Sequence, residues 1–374
     1  MGKRNSNIEA LRIIAMAFIT AHHLALWGYF YNFTGHDLQL NIIWLQFLEL
    51  WGKIGVDLFM LITGYFALDP KPTFAKVIQL TNKVRFYTVG LLIVLVIGGV
   101  VHPGIKSIFG AFFPTLRFVY WFISIYVIIY IFSGHLSKYF KQLSQRTAIK
   151  FIILNIFIFM VLPTFFFSQG SYLTDLITVF FVGLYLRRFG ISIKFIGFLK
   201  FATIVSVIVI FGTIITSDLA GVYFGKSHLI ANATRFIISG SSPLALVLAI
   251  AIFVVALSLK PKNNQLINWL SGSALAIYLI QDNNLFRLIL WKKIAHISEF
   301  SQSMNSPQFI IYTLVVILGI VVSGLVIDKL MIFIFKKPAM IFFKIELLIV
   351  NSCIDRIKHS DFFMKKWNLI KNSK

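Results

Sequence analysis

Long, continuous apolar runs are the feature that most restricts how this chain can fold. Several of them contain roughly twenty residues, the length that a helix needs to cross the hydrocarbon core of a bilayer. A helix also satisfies its own backbone hydrogen bonds, as an apolar solvent requires. Strands of a membrane β-barrel would instead alternate polar and apolar residues over about ten positions, and these runs do not alternate. We therefore predict an all-α, polytopic integral membrane protein.

The composition indicates that lipid is the solvent for much of the surface. Hydrophobic residues make up 58% of the sequence and charged residues only 13%, whereas soluble domains carry about a quarter charged residues. The net charge of +22 is attributed to cytoplasmic loops rather than to nucleic-acid binding. The single cysteine, Cys353, excludes an intrachain disulfide. The sequence has no zinc-ligand cluster, Walker loop, dinucleotide fingerprint or GxSxG elbow, so neither a metal nor a permanently bound cofactor is expected.

The apolar runs predict about ten transmembrane helices. They fall at 8–30, 42–68, 84–101, 112–133, 149–166, 172–186, 201–217, 236–259, 265–285 and 307–335. With the N-terminus inside, 25 of the 35 lysines and arginines lie in cytoplasmic segments and 7 in outer segments. This distribution follows the positive-inside rule and predicts that both termini are cytoplasmic. The abundance of Phe, Ile, Lys and Asn favours a multi-pass protein of a bacterial plasma membrane.

The end of the last run divides the chain into a transmembrane region at 5–336 and a cytoplasmic tail at 337–374. The tail alternates basic residues with Phe, Ile, Leu and Trp367. This pattern indicates an amphipathic helix that lies on the inner leaflet and is attracted by anionic lipid. A docking site for another protein is the alternative.

Ionisable side chains inside apolar spans are costly, and they therefore indicate candidate sites. In the first span, Arg12 and His23 are eleven residues apart, about three helical turns or roughly 16 Å, on nearly the same face. A permanent cation near the cytoplasm is thus aligned with a proton acceptor near mid-membrane. Glu9 precedes Arg12 by one turn and is expected to neutralise it. The alternatives are a topology anchor for Arg12 and a helix–helix hydrogen bond for His23, with His22 assigned a structural role.

A second charged pair lies in the second span. Lys53 and Asp57 are four residues apart and can neutralise each other within the membrane. Gly55 and Gly64 in the same span predict close approach of a neighbouring helix. The pair has two open interpretations, a structural ion pair that packs the first two spans together and a functional site.

Four segments resemble the acyltransferase 3 family of membrane O-acyltransferases. The spacing from Arg12 to His23 matches the signature of the family's first span. Segment 55–66, GVDLFMLITGYF, is similar to the second-span motif, and segment 120–130, YWFISIYVIIY, to the fourth-span segment. Segment 271–283, SGSALAIYLIQDN, resembles the late Tyr-Leu-Ile-His-Asp-Asn motif. The resemblance extends over about residues 5–336.

The resemblance implies transfer of an acyl group, usually acetyl, from cytosolic acyl-CoA as co-substrate to a hydroxyl of a glycan or lipid-linked sugar at the outer face. It implies that His23 is the catalytic base or acyl relay and that Arg12 helps to position acyl-CoA. Basic residues at the start of the third span, Lys83 and Arg85, lie where the family keeps cytoplasmic cations. Other residues expected to bind substrate are Glu9, Lys53, Asp57, Trp121, Tyr278, Gln281 and Asp282.

Gln281 departs from the family pattern, which commonly has histidine at this position. If that histidine does chemistry in relatives, this protein is impaired or works differently; if it only forms hydrogen bonds, glutamine can replace it. Two rival functions stay open. A transporter or flippase for a lipid-linked sugar or exopolysaccharide would use the same spans without consuming acyl-CoA, although no internal repeat is evident. A non-catalytic scaffold is favoured by Gln281 alone.

Overall fold

The computed structural model of the protein describes residues 5–35, 37–166, 170–238 and 241–358, and these residues contain helices and no strand. The α-helices in chain order are α1 (Ser6–Ala25), α2 (Leu40–Glu49), α3 (Trp51–Phe66), α4 (Phe74–Ile97), α5 (Ile105–Phe112), α6 (Trp121–Gln142), α7 (Gln145–Ile156), α8 (Leu162–Phe165), α9 (Tyr172–Phe189), α10 (Ile193–Phe224), α11 (Ser227–Ala231), α12 (Arg235–Ile238), α13 (Pro243–Ser258), α14 (Gln265–Ser271), α15 (Ala274–Gln281), α16 (Ile297–Ser303) and α17 (Ser306–Lys358). Short π-helical segments lie at Leu26–Phe30, Phe157–Val161 and Ile289–Ile294. The prediction of an all-α protein is confirmed.

Local sequence explains where several of these helices begin and end. The side chains of Asn5, Thr73 and Ser192 accept hydrogen bonds from backbone amides in the first turns of α1, α4 and α10. Such caps satisfy amides that have no partner within the helix. The 32-residue helix α10 ends at Gly225, whose φ of 62° lies in the left-handed region that glycine adopts without steric cost.

Six helical segments among the described residues are long and apolar enough to cross a membrane. They are Ser6–Phe30, Phe74–Ile97, Trp121–Gln142, Gln145–Thr164, Ile193–Phe224 and Ser306–Phe335. The first, third, fourth, fifth, seventh and tenth predicted spans overlap these segments. The other predicted spans overlap shorter helices, including the 16-residue helices α3 and α13 and the pair α14 and α15. The chain is therefore a multi-pass helical protein.

Several predicted boundaries were wrong. The third span was predicted from residue 84, but α4 begins ten residues earlier at Phe74, because Thr73 caps its first turn. The fourth was predicted from residue 112, but α6 begins at Trp121, and Ile105–Phe112 forms the separate helix α5. The Thr88 hydroxyl on α4 donates to the Ala111 carbonyl at 2.6 Å, which holds α5 against α4. Hydrophobicity alone does not separate a short packed helix from the end of a span.

The last helix passes through the predicted boundary at residue 336. α17 continues without a break to Lys358, so the described part of the predicted tail is helical. An ion pair between Glu346 and Arg85 of α4 joins this extension to the rest of the protein. Residues 359–374, including Trp367, lie outside the described residues, and the amphipathic tail stays a prediction.

The centre of the molecule is the packing of α3 against α1 on one side and α9 on the other. A Cβ atom at Gly55 would lie 2.6 Å from the Ala15 carbonyl oxygen of α1. One at Gly64 would lie 2.2 Å from the Phe180 carbonyl oxygen of α9. Both distances exclude any other side chain, so these glycines permit the close helix approach that the sequence predicted.

Outward-facing surfaces of the long helices are apolar. On α10, Phe201, Ile208 and Leu219 are each more than 60% exposed. On α17, Ile311 and Leu318 are similarly exposed. A water-soluble protein would not keep such continuous apolar faces uncovered, whereas a bilayer accepts them.

Candidate active site

A cavity of about 390 Å³ lies among α1, α3, α4, α6 and α15. Most of its wall is apolar or aromatic, and three basic side chains, Arg12, Lys76 and His23, interrupt that surface. Its lining residues are Arg12, Met16, Ile19, His23, Val56, Phe59, Thr63, Lys76, Val77, Leu80, Trp121, Phe122, Ile123, Tyr126, Val127, Tyr130, Leu275 and Tyr278. This combination suits a long, flexible ligand with one charged end.

Four residues of α1 form a stripe along one wall of the cavity, which we call the α1 stripe: Arg12, Met16, Ile19 and His23. Their spacing of four, three and four residues is that of one helical face. The side chain of Arg12 is about a third exposed (35%), whereas His23 is buried. The two residues that the sequence placed on one face therefore open into the same cavity.

Glu9 fixes the N-terminal end of the α1 stripe. Its carboxylate accepts hydrogen bonds from the Arg12 guanidinium at 3.1 and 3.2 Å and from the Ser271 hydroxyl at 2.6 Å. Glu9 does not line the cavity. Its role in the structure is to hold Arg12 in place and to tie α1 to α14.

Polar and aromatic groups surround His23 at the other end of the α1 stripe. The ring of Tyr278 stacks on the imidazole with centroids 6.1 Å apart. His23 Nε2 lies 4.0 Å from Asp282 Oδ1, and Arg287 Nη1 lies 3.5 Å from the same oxygen. The Arg287 guanidinium in turn lies 3.8 Å from the ring centroid of Trp27. His23 therefore lies between the cavity and the Asp282–Arg287 ion pair.

The starts of two helices meet at the cavity wall. α6 begins at Trp121 and α9 at Tyr172, and the two rings lie 4.4 Å apart. The Tyr120 hydroxyl donates to the Leu279 carbonyl at 2.6 Å and accepts from Asn283 Nδ2 at 3.1 Å. These contacts fix the start of α6 against the end of α15, and so position Trp121 and Tyr278 on the cavity wall.

The sequence model of the acyltransferase 3 family, described as an acyltransferase domain, matches residues 5–326. This chain belongs to the acyltransferase 3 family. No curated protein and no solved structure matches it. Together with its apolar helices, the match identifies a membrane acyltransferase, and the predicted family membership is confirmed.

Gln281 of the acyltransferase is fully buried and does not line the cavity. Its side-chain amide donates to the Thr20 hydroxyl of α1 at 3.0 Å. The geometry favours the second interpretation of the departure from the family motif, in which glutamine replaces histidine as a hydrogen-bonding residue. The neighbouring Asp282, not Gln281, faces His23.

The Lys53–Asp57 ion pair lies on α3 but outside the cavity lining. Both side chains are buried, and Asp175 of α9 is buried on the same side of α3 and accepts a hydrogen bond from Ser241 at 3.1 Å. His22 likewise faces away from the cavity: its Nδ1 lies 2.9 Å from the Glu49 carbonyl oxygen, and its ring packs on Gly52. The geometry favours a structural role for all of these groups.

The basic residues Lys83 and Arg85, which were predicted to bind substrate, lie away from the cavity. Lys83 pairs with Asp328 of α17 at 2.9 Å, and Asp328 also accepts from the Tyr87 hydroxyl at 2.7 Å. Arg85 pairs with Glu346 and donates to the Phe112 carbonyl. Neither lines the cavity.

Lys76, in the first turn of α4, is the lysine that lines the cavity, and the sequence did not predict it as a site residue. It is exposed, and no acidic partner for it lies among the described residues. Tyr126 and Tyr130 of α6 line the same end. The sequence feature that could have identified it is Thr73, because a helix cap at this residue starts α4 early enough to place Lys76 on the cavity wall.

Proposed function

We propose that this acyltransferase moves an acyl group, acetyl in the simplest case, from cytosolic acyl-CoA to a hydroxyl of an extracytoplasmic or lipid-linked glycan. The observation that carries the proposal is the continuous cavity that joins Arg12 and Lys76 at one end to His23 at the other. A CoA thioester does not cross a bilayer, because its phosphates are charged. A cavity inside the membrane lets its acyl end reach the middle while its phosphates stay in the cytoplasm.

The proposal requires an orientation. We infer ten spans with both termini cytoplasmic, in which α2 with α3, α9, α13, and α14 with α15 complete the six longer segments. The excess of lysine and arginine in the segments thus assigned to the cytoplasm supports this orientation in a bacterial plasma membrane. Arg12 and Lys76 then lie near the inner surface, and His23 lies about 16 Å deeper along α1.

Binding of the donor follows from the lining. Lys76 and Arg12 supply positive charge for the diphosphate of CoA at the mouth, since both are cations within the same cavity. The apolar wall formed by Met16, Ile19 and Val77 suits the thin pantetheine arm. The Arg12-to-His23 separation is comparable to the reach of that arm, so the thioester carbonyl arrives beside the imidazole.

The chemistry assigned to His23 is general base catalysis. The imidazole removes the proton of the acceptor hydroxyl while the oxygen forms a bond to the thioester carbonyl carbon. The carbon–sulfur bond then breaks, and the thiolate of CoA takes the proton from the imidazolium. The products are the O-acyl ester and free CoA thiol, so the step needs no oxidant, metal or further reactant.

The first experiment measures thiol release from acetyl-CoA and succinyl-CoA by the purified protein in nanodiscs, with and without a glycan acceptor. His23→Ala is expected to lower kcat by about 10²- to 10⁴-fold, the usual contribution of a general base. Arg12→Ala is expected to raise KM for the acyl-CoA. Surface O-acyl content of producing cells should fall with both.

Matched controls are His228→Ala and Arg146→Ala, which remove an exposed histidine and an exposed arginine outside the cavity. Both should retain wild-type turnover. Wild-type kinetics in His23→Ala would contradict the mechanism. Absence of thiol release from the wild type with every donor and acceptor, together with glycan movement across vesicles, would favour the transporter instead.

A further inference from the structure

Asp282 lies directly behind the imidazole of His23. Its Oδ1 is 4.0 Å from His23 Nε2, and its side chain is 8% exposed. His23 lines the cavity, whereas Asp282 does not. The carboxylate therefore lies behind the histidine, close to the hydroxyl of Tyr278, which also lines the cavity.

The two ring nitrogens of His23 have different surroundings. Nε2 lies 4.0 Å from the Asp282 carboxylate, too far for a hydrogen bond, and Nδ1 is buried and has no hydrogen-bond partner among the described residues. Because Nδ1 is enclosed, Nε2 is the nitrogen that a substrate in the cavity can reach.

Arg287 pairs with Asp282 on the side away from the cavity. Its Nη1 lies 3.5 Å from Asp282 Oδ1, and its guanidinium stacks on Trp27. A guanidinium this close to His23 would repel the imidazolium that forms during transfer, unless a carboxylate lay between them. Asp282 supplies that carboxylate. The other polar rings against His23 are Tyr278 and His22, whose centroids are 6.1 and 5.6 Å away.

We propose that Asp282 is a positioning residue whose carboxylate orients the imidazole of His23 and offsets the charge of the imidazolium, and that Arg287 anchors that carboxylate. The inference rests on the proposed transferase function and names the residues that support its base. The acceptor proton goes to the imidazole, the Asp282 carboxylate 4.0 Å away stabilises the imidazolium, and the thiolate of CoA recovers the proton.

The test compares Asp282→Asn and Asp282→Glu with wild type and His23→Ala in the thiol-release assay. Asparagine keeps the shape but not the charge, and should lower kcat about 10²-fold or more while KM for acyl-CoA changes less than threefold. Asp282→Glu restores the negative charge, and its kcat should be at least tenfold higher than that of Asp282→Asn. Asp69→Asn is the matched control, because it makes the same change at an exposed carboxylate that pairs with Lys141 and is absent from the cavity lining.

A merely structural residue would give a different result. If Asp282→Asn kept kcat within threefold of wild type, or changed KM alone, the positioning role would be overturned while the loss in His23→Ala still supported the transferase. If Asp282→Asn did not fold, Arg287→Gln would decide, since it frees the carboxylate without removing it. That variant should lower kcat about tenfold at unchanged KM, and wild-type kcat would overturn the inference.

Discussion

Two sets of charged side chains lie within the helices of this acyltransferase, and they are built differently. Arg12 and His23 of the α1 stripe open into a cavity, and a carboxylate lies beside each of them, Glu9 at 3.1 Å from Arg12 and Asp282 at 4.0 Å from His23. Lys53 and Asp57 are buried against each other and do not line this cavity. Burying charged side chains costs free energy, so both sets are unusual within a membrane protein. A buried charge can bind a substrate only where a cavity lies beside it.

The contrast between the two sets of charges would be wrong if the Lys53–Asp57 pair took part in the reaction. Lys53→Met leaves Asp57 buried and unpaired, and we expect a loss of about 3–5 kcal/mol in the free energy of unfolding, measured as a lower midpoint in nanodiscs. The folded fraction should keep wild-type kcat. A double replacement, Lys53→Met with Asp57→Leu, should recover most of the stability, because an apolar pair of similar size fills the same space. Normal stability with lost thiol release would show that the pair serves the substrate.

A comparison of Lys76 with Lys83 tests the same contrast at the Arg12 end of the cavity. Lys76→Ala removes a cation from the cavity and is expected to raise KM for acyl-CoA about tenfold, or about 1.4 kcal/mol, with kcat unchanged. Lys83→Ala is the matched variant, since Lys83 pairs with Asp328 outside the cavity. It should leave KM unchanged and lower the thermal midpoint. A raised KM in Lys83→Ala with an unchanged KM in Lys76→Ala would instead place the donor site at Lys83, one of the substrate-binding residues that the sequence predicted.

The smallest effect is expected at Gln281. Gln281→Ala removes the hydrogen bond to Thr20 and should cost about 1 kcal/mol of stability, with kcat within threefold of wild type. Thermal denaturation and thiol release measured on the same sample separate the two effects. A hundredfold loss of kcat at normal stability would show that position 281 takes part in the chemistry.

Much of the site could be predicted because it lies on one helix. The 3.6-residue period relates Arg12, Met16, Ile19 and His23 whatever surrounds α1, so their shared face needed no tertiary information. Glu9, one turn before Arg12, was predictable for the same reason. The glycines of α3 likewise indicated a close helix contact, although not which helix makes it.

Residues on different helices could not be placed in this way. Lys76, Lys83 and Arg85 belong to one basic segment, and hydropathy does not distinguish them. Which of them reaches the cavity depends on the cap at Thr73 and on the carboxylates of α17, Asp328 and Glu346, which engage the other two. Asp328 and Glu346 are more than 240 residues away along the chain.

The sequence by itself determined that the chain is helical, that lipid surrounds it, and that a cation and an imidazole share one face of α1. These properties follow from run length and helical period, which are local. The tertiary structure decided which charges meet open space, that Asp282 rather than Gln281 faces His23, and that Lys53 and Asp57 are enclosed. Those outcomes depend on how helices far apart in the chain pack together, because burial and access are properties of the whole assembly of helices.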